Sequence, residues 1–411
     1  MNQPGYQPYF SVNLPGRQAL SKVWRSLFLV TTAIAVVFLV ILVGTLINQS
    51  VGYVAIETKT PIASLVSDGH SLEELDKAEL VTLLQQNLTT GRYNTLNASE
   101  PMETRAKSDL VNLVYTEVLE PEVQETWLLT ESIFHGNRIK AEAAELHPDA
   151  LLQFKSWLNF NLLKTTQSSD PLASGIRTAL LGSIWSILIT ILVAFPLGVG
   201  AALYLEEYAR DTWVNRMIQT NINNLAGVPS IIYGMLGLAI FVRTLSVITS
   251  GAAFGLGSGG SENGRTLLSA GLTLALLVLP LIIINTQEAV KAVPDTLRQA
   301  SYGLGATQWQ TIWYHVLPNA MPGILTGTIL AISRAIGETA PLVVVGAATY
   351  ITFDPNNVFS RFTTLPIQIY QWSSRPQAVF QHIAAAAILV LLILLLSLNS
   401  FAIVLRNRYR K

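Results

Sequence analysis

The chain has 411 residues, half of them hydrophobic and 13% charged, with 26 acidic and 26 basic side chains. Soluble domains carry roughly 25% charged residues, so much of this chain is not built for water. There is no cysteine, which excludes a disulfide framework, a thiolate metal site and a cysteine nucleophile.

The neutral balance hides a split. Residues 48–172 hold 18 acids and 9 bases, and the remainder holds 8 acids and 17 bases. An acidic, water-compatible segment is thus inserted into a basic, apolar body. In chain order, residues 1–23 are polar and rich in Pro and Gly, and read as a disordered tail. Residues 24–47 form an apolar run longer than the 7–15 residues of a signal peptide, and Leu46-Ile47-Asn48-Gln49 is a poor cleavage site. The run reads as a retained first span. Residues 48–172 alternate helical patterns with Pro- and Asn-containing breaks, and Ser71 with Glu74 fits a capping box. They read as a mostly helical domain outside the membrane. Five further spans are expected at about 175–204, 219–242, 266–285, 320–348 and 382–405. The fold class is therefore an all-α polytopic membrane protein of about six spans with a helical insert. Its body covers 173–405, and 406–411 form a basic tail.

Arg17, Lys22 and Arg25, then Arg210 and Arg216, then Lys291 and Arg298, and the basic C-terminus all fall on one side. The positive-inside rule places both termini in the cytoplasm and 48–172 outside it.

Three constellations stand out. The first is the amphipathic loop at about 286–318, where Gln299-Ala300-Ser301-Tyr302-Gly303-Leu304-Gly305 precedes His315-Val316-Leu317-Pro318. It reads as helix, glycine turn, helix, with Gly305 reversing the chain and Pro318 opening the next helix. An ordinary interfacial loop has the same pattern. The second is Ser333-Arg334-Ala335-Ile336-Gly337-Glu338-Thr339. Counted along a continuous helix, Arg334 lies roughly 21 Å into its span, with Glu338 on the same face. Ionisable groups at that depth face a polar pathway or lock two helices together. A guanidinium fork suits an oxyanion. The third is Asn221, Asn223, Asn224 and Ser230 around Pro229, which line a cavity or bond between helices. Gly255-x-Gly257-x-x-Gly260 lies between spans and is a dinucleotide fingerprint in letters only. The five histidines show no metal-ligand spacing, and no P-loop motif occurs.

The 299–318 loop resembles the coupling motif of ABC importer permeases. Ala300, Gly305, Leu317 and Pro318 are at the family spacing, whereas Gln299 replaces a Glu, Ser301 an Ala and His315 an Ile. The 221–234 and 333–341 stretches, with Leu205-Glu206-Glu207-Tyr208-Ala209 and Ile176-Arg177-Thr178-Ala179-Leu180, resemble the permease subunits of bacterial phosphate importers. The resemblance implies the ABC type I importer fold in a bacterial inner membrane. It implies a non-catalytic subunit whose substrate pathway uses Arg334, Glu338, Thr339, Ser333, Asn221, Asn224 and Ser230. Its coupling loop would use Gln299, Ala300, Ser301, Gly305, Leu317 and Pro318. The implied partners are a paralogous permease, two ABC ATPase subunits, an extracytoplasmic phosphate-binding protein, inorganic phosphate and membrane lipid, with no nucleic acid. ATP and Mg2+ would be held by the ATPases, and this chain would carry no cofactor. A permease for molybdate or sulfate, or a membrane-anchored sensor acting through its outer domain, are the other readings.

Overall fold

The computed structural model describes residues 14–59, 75–99, 101–103, 105, 107–255 and 263–409. The Ser71–Glu74 capping box lies outside them, as do Gly257 and Gly260. Helix α1 spans Leu14–Ser50, beginning ten residues before the apolar run. Residues 14–23 are therefore helical, a difference from the disordered tail read in the sequence. The apolar stretch of α1 is exposed along its length, the expected state of a helix whose solvent is lipid.

The chain leaves α1 directly into strand β1 (Val51–Thr58). Next come helices α2 (Lys77–Asn87), α3 (Thr90–Ser99) and α4 (Lys107–Glu117), then strand β2 (Pro121–Thr126). Helices α5 (Leu129–Phe134) and α6 (Gly136–Leu146), strand β3 (Leu151–Ser156) and helix α7 (Phe160–Lys164) complete the domain. The domain is mostly helical, as the sequence reading had it, but it also holds strands that the reading did not name. An antiparallel sheet in the order β2-β1-β3 forms its base. Asp76 caps α2 in a capping box with Glu79.

Among the described residues the inserted domain contributes to three buried clusters, one of them Ala55 and Trp127 against Ile139 and Ala143 of α6. Leu80, Leu84, Leu110 and Val114 close a helical lobe built from α2 and α4. Val54 of the sheet instead joins Trp157, Leu162 and Ile176 against Phe380 and Ile383 of the last long helix. His382 fastens this seam, with one ring nitrogen 2.8 Å from Thr126 Oγ1 and the other against the Gln49 carbonyl. The lobe joins the sheet where β1 and β2 end side by side, with Thr58 opposite Pro121 and Lys59 N donating to Leu119 O. Excising 60–119 and closing the gap with Asn-Gly, the two-residue hairpin turn, should leave a chain that inserts and keeps its body protease-resistant. Failure to insert would mean that the lobe is a folding element of the body.

The body holds helix α8 (Arg177–Leu203, continued by a π turn Tyr204–Tyr208), α9 (Trp213–Ala226), α10 (Ser230–Gly237, continued by a π segment Leu238–Thr244) and α11 (Leu267–Lys291). After it come α12 (Asp295–Gly303), α13 (Gln308–Thr311, continued by a π turn Ile312–Val316), α14 (Leu317–Gly337), α15 (Ala340–Val345), α16 (Leu365–Ser373) and α17 (Ala378–Tyr409). Among the described residues five helices are long and apolar enough to cross a membrane, and the bent α9/α10 pair makes a sixth if it is counted as one span.

α11 is the central helix and α8 lies tight along it. Gly198 meets Ile282 and Gly271 meets Ile189 with no room for a Cβ, and Thr190 Oγ1 donates to Gly271 O. Small residues of this kind let membrane helices approach closely where no hydrophobic drive separates protein from lipid. Gly323 of α14 lies against Ala289 on another side of α11.

Two expected spans are not continuous. The 219–242 span is two helices bent by 107° at Gly227-Val228-Pro229, because Pro229 has no N–H to continue the ladder. The 320–348 span ends at Gly337, and Glu338 is extended at φ −79°, ψ 109°.

Candidate functional site

The two breaks converge. Gly234 of α10 lies against Pro341 of α15, where a Cβ would stand 2.6 Å from the Pro341 Cα. Between the breaks sits Tyr233, whose hydroxyl donates to Leu225 O at 2.7 Å and closes the end of α9. Arg334 is within electrostatic reach of that phenol. Arg334 occupies the last turn of α14, about 26 Å from Leu317 at helical rise. This corrects its placement in the middle of a continuous span. The helix C-terminus there favours a cation.

Glu338 does not share a helical face with Arg334, as the sequence reading had it. It caps the helix from extended backbone, and its Oε1 still lies 3.4 Å from Arg334 Nε. The arginine side chain is 46% exposed and the glutamate 20%. The guanidinium therefore faces out of this chain, over a surface that a second subunit can cover.

Thr339 is the N-cap of α15, and its hydroxyl makes no capping bond. Ser333 donates to Asn399 Oδ1 of α17 at 2.6 Å and so ties two helices. Asn221 and Asn224 lie on α9, before the break and not at the start of a span. The Asn221 amide donates to Met217 O within that helix. Ser230 opens α10 directly after Pro229. Arg334, Glu338 and Thr339 thus stand at the break between α14 and α15, the buried Tyr233 lies between that break and the one at Pro229, and Ser333 and Asn221 are engaged elsewhere.

The 292–316 loop is a second built feature. α12 and α13 are joined across Gly305 at φ +81°, and Thr307 and Gln310 form a capping box at the start of α13. Ser301 and Thr311 hydroxyls meet at 2.8 Å inside the hairpin. Leu317 and Pro318 begin α14, with Pro318 in the first turn. Gln299 and Ala300 lie on the exposed side. Around them Leu304 is 90% exposed, and Trp309 and Trp313 stack with centroids 5.5 Å apart. An exposed apolar patch of this kind marks an interaction surface.

This hairpin is bolted to the body by Arg298. Its guanidinium donates to Glu207 at the end of α8 at 2.8 Å, and to Val293 O and Val290 O at the end of α11. The hydrogen bond to Glu207 raises the Arg298 pKa further, so it stays charged. Gln308 adds a bond to Glu207 O. The sequence reading missed Tyr233, Arg298 and Glu207 as site residues. Glu207 and Arg298 are 91 residues apart, and only the fold pairs them.

Gly303 and Gly305 both have open space where a Cβ would stand, and only Gly305 has positive φ. Gly305→Ala should therefore cost ~1–3 kcal/mol of local stability. Gly303→Ala, inside a helix, should be neutral or stabilising. Protease cleavage at 304–308 in membranes reads the difference. Equal cleavage of both variants would mean that the turn is not a fixed element.

Among the described residues no group of His, Cys, Asp and Glu is placed to hold a metal ion. A cavity of about 510 Å³ lies away from Arg334, at the seam of the sheet domain. Burial lowers the pKa of its Lys155 and raises that of its Asp170.

The family described as "Binding-protein-dependent transport system inner membrane component" matches residues 194–411. The chain belongs to this family. It is a multi-pass ABC transporter permease, and members are membrane components without catalytic activity of their own. The permease is 37% identical over 240 residues to the "Phosphate transport system permease protein PstA" of Mycobacterium leprae, covering 58% of this chain and 72% of that one. It is 31% identical over 257 residues to the "Probable ABC transporter permease protein YqgI" of Bacillus subtilis, covering 59% and 82%. A solved bacterial ABC transporter that imports the polysaccharide alginate has a chain 17% identical, with a TM-score of 0.46 over 69% of this chain and 93% of that one. The family match starts at residue 194, so the sheet domain lies outside it.

Proposed function

We propose that this permease is a membrane subunit of an ATP-driven importer of inorganic phosphate. The observation that carries the reading is Arg334, held by Glu338 beside two helix breaks and open on one side. A fixed guanidinium at broken helices is what an oxyanion route needs, because freed backbone groups and a planar fork both bind oxygen. Glu338 gives the arginine a partner when the anion is absent and keeps the anion from binding too tightly to leave. The relatives described as phosphate transport permeases support the choice of phosphate.

A paralogous permease would cover the exposed side of Arg334 and complete the pathway. Two ABC ATPase subunits would dock on the loop bearing Leu304, Trp309 and Trp313, and ATP with Mg2+ would be theirs. The loop side is cytoplasmic, as are both termini, and the sheet domain stands outside the bacterial inner membrane. A soluble phosphate-binding protein would deliver substrate there. ATP-driven closure would push the α12–α13 hairpin, and Arg298 would pass the movement to α8 and α11.

Purified complex in proteoliposomes tests the proposal. ATP hydrolysis should be vanadate-sensitive, stimulated by the loaded phosphate-binding protein and accompanied by phosphate uptake. Uptake of molybdate or sulfate in place of phosphate would move the assignment to another oxyanion. A chain that co-purifies with no ATPase would defeat the importer reading.

A further inference from the structure

The cavity of about 510 Å³ at the seam of the sheet domain falls within the ~300–1,000 Å³ of small-molecule sites. Two membrane-crossing helices fix its place. Trp157, on its wall, donates its backbone N–H to the carbonyl of Ser50, the last residue of α1. Ile383, which also lines it, belongs to the second turn of α17. The cavity is therefore level with the ends of two spans, where lipid tails give way to headgroups. Leu158 and Phe160, beside it in the chain, are exposed, and Lys164 Nζ stands 4.7 Å from the centroid of the Phe160 ring. Aromatic and basic side chains at this level anchor a protein in the membrane interface.

Among the described residues that line the cavity, only Lys155 and Asp170 are ionisable. Their charges are opposite and within electrostatic reach, yet they form no ion pair. The Lys155 ammonium rests 4.7 Å from the centroid of the Trp157 ring, and among the described residues it donates no hydrogen bond. Asp170 Oδ1 accepts from Leu172 N at 2.9 Å, and its second oxygen accepts from no described residue. Burial works against both charges, lowering the Lys155 pKa and raising that of Asp170. A ligand with an anion and a cation a few bonds apart would meet both groups at once and relieve the cost of two half-buried, unpaired charges.

We infer that this cavity holds the headgroup of a zwitterionic phospholipid of the ethanolamine type, with its phosphate on Lys155 and its primary ammonium on Asp170. The acyl chains then lie in the bilayer beside α1 and α17. A primary ammonium fits better than a trimethylammonium, because Asp170 offers an oxygen that accepts an N–H. A trimethylammonium needs an aromatic cage, and the one ring on the cavity wall, Trp157, already carries Lys155. Free phosphoethanolamine has the same phosphate-and-ammonium chemistry. The position of the cavity at the ends of two spans selects the lipid. A lipid held there ties the sheet domain to the body at the bilayer surface.

The test uses the full-length chain, purified in detergent and stripped of lipid. It is titrated with dioleoyl phosphatidylethanolamine, with dioleoyl phosphatidylglycerol and with phosphoethanolamine, and bound species are counted by native mass spectrometry. One phosphatidylethanolamine should bind on the order of tenfold more tightly than phosphatidylglycerol, the worth of one hydrogen bond to a charged group. Asp170→Asn, nearly isosteric, should erase that preference. Lys155→Met should weaken both lipids on the order of tenfold. Lys164→Met, outside the cavity, should change neither. Unfolding temperatures without lipid check that the variants fold, and Asp170→Asn decides the question even if Lys155→Met does not. Equal affinity of the wild-type chain for the two lipids would overturn the inference, as would an unchanged preference in Asp170→Asn. A loss in Lys164→Met as large as in Lys155→Met would reduce the effect to general interfacial charge and overturn it too. Phosphoethanolamine that displaces the lipid at equal concentration would assign the cavity to a soluble zwitterion and overturn the lipid assignment.

Discussion

Arg334→Gln is expected to abolish phosphate uptake while the chain still inserts and assembles. The ion pair with Glu338 is partly open to solvent within this chain, at 46% and 20% exposure, so its loss alone costs little stability. A fall in uptake on the order of 100-fold corresponds to about 2.7 kcal/mol of lost barrier stabilisation. That matches the ~1.5–3 kcal/mol of one hydrogen bond to a charged group. Glu338 left without its partner can take up a proton. Arg334→Gln/Glu338→Gln removes both charges and separates the roles. If the pair serves structure only, the double variant transports. If Arg334 meets the anion, the double variant assembles with its ATPase and stays transport-dead. Arg334→Lys keeps the charge without the fork and should recover only part of the activity. Near wild-type uptake by an assembled double variant would defeat the pathway role.

The second large effect is expected at Arg298. Arg298→Met leaves Glu207, whose side chain is 7% exposed, without its cation, and frees the Val290 and Val293 carbonyls at the end of α11. Removing one partner of a buried pair costs ~3–5 kcal/mol. The hairpin also loses its tie to α8, so ATP hydrolysis in the complex should lose its response to the binding protein. Arg298→Met/Glu207→Met removes the stranded charge, and should recover most of the stability because well-packed apolar pairs often match buried ion pairs. It should not recover the coupling. A drop of under ~1 kcal/mol for Arg298→Met would place the pair in the class of surface bridges and sink this account.

Much of the body was legible because its signals are local. A run of about twenty apolar residues meets the thickness of a bilayer wherever it occurs, and α1, α8, α11 and α17 follow from such runs. Gly305 and Pro318 were readable because positive φ and a missing N–H are properties of single residues. Strand β1 was not readable. It continues α1 without a break, and its pairing to β2 and β3 uses residues far along the chain. Pro229 was readable as a helix break, because its missing N–H is local, but the 107° bend was not, and residues 338–339 look, letter by letter, like part of a continuous span.

Sequence by itself determined that this is a polytopic membrane chain with an acidic insert, a hairpin loop with a glycine turn, and an arginine with a glutamate four residues on. Only the tertiary structure decided that α14 stops at Gly337, that the two breaks meet around Tyr233, and that Glu207 and Arg298 bolt the loop to the body. It alone brought Lys155 and Asp170 to one cavity. The reason is physical. Apolar length and backbone conformation are intrinsic to a segment, whereas where a helix breaks and which charges meet depend on what packs against it. At Gly234 that is Pro341.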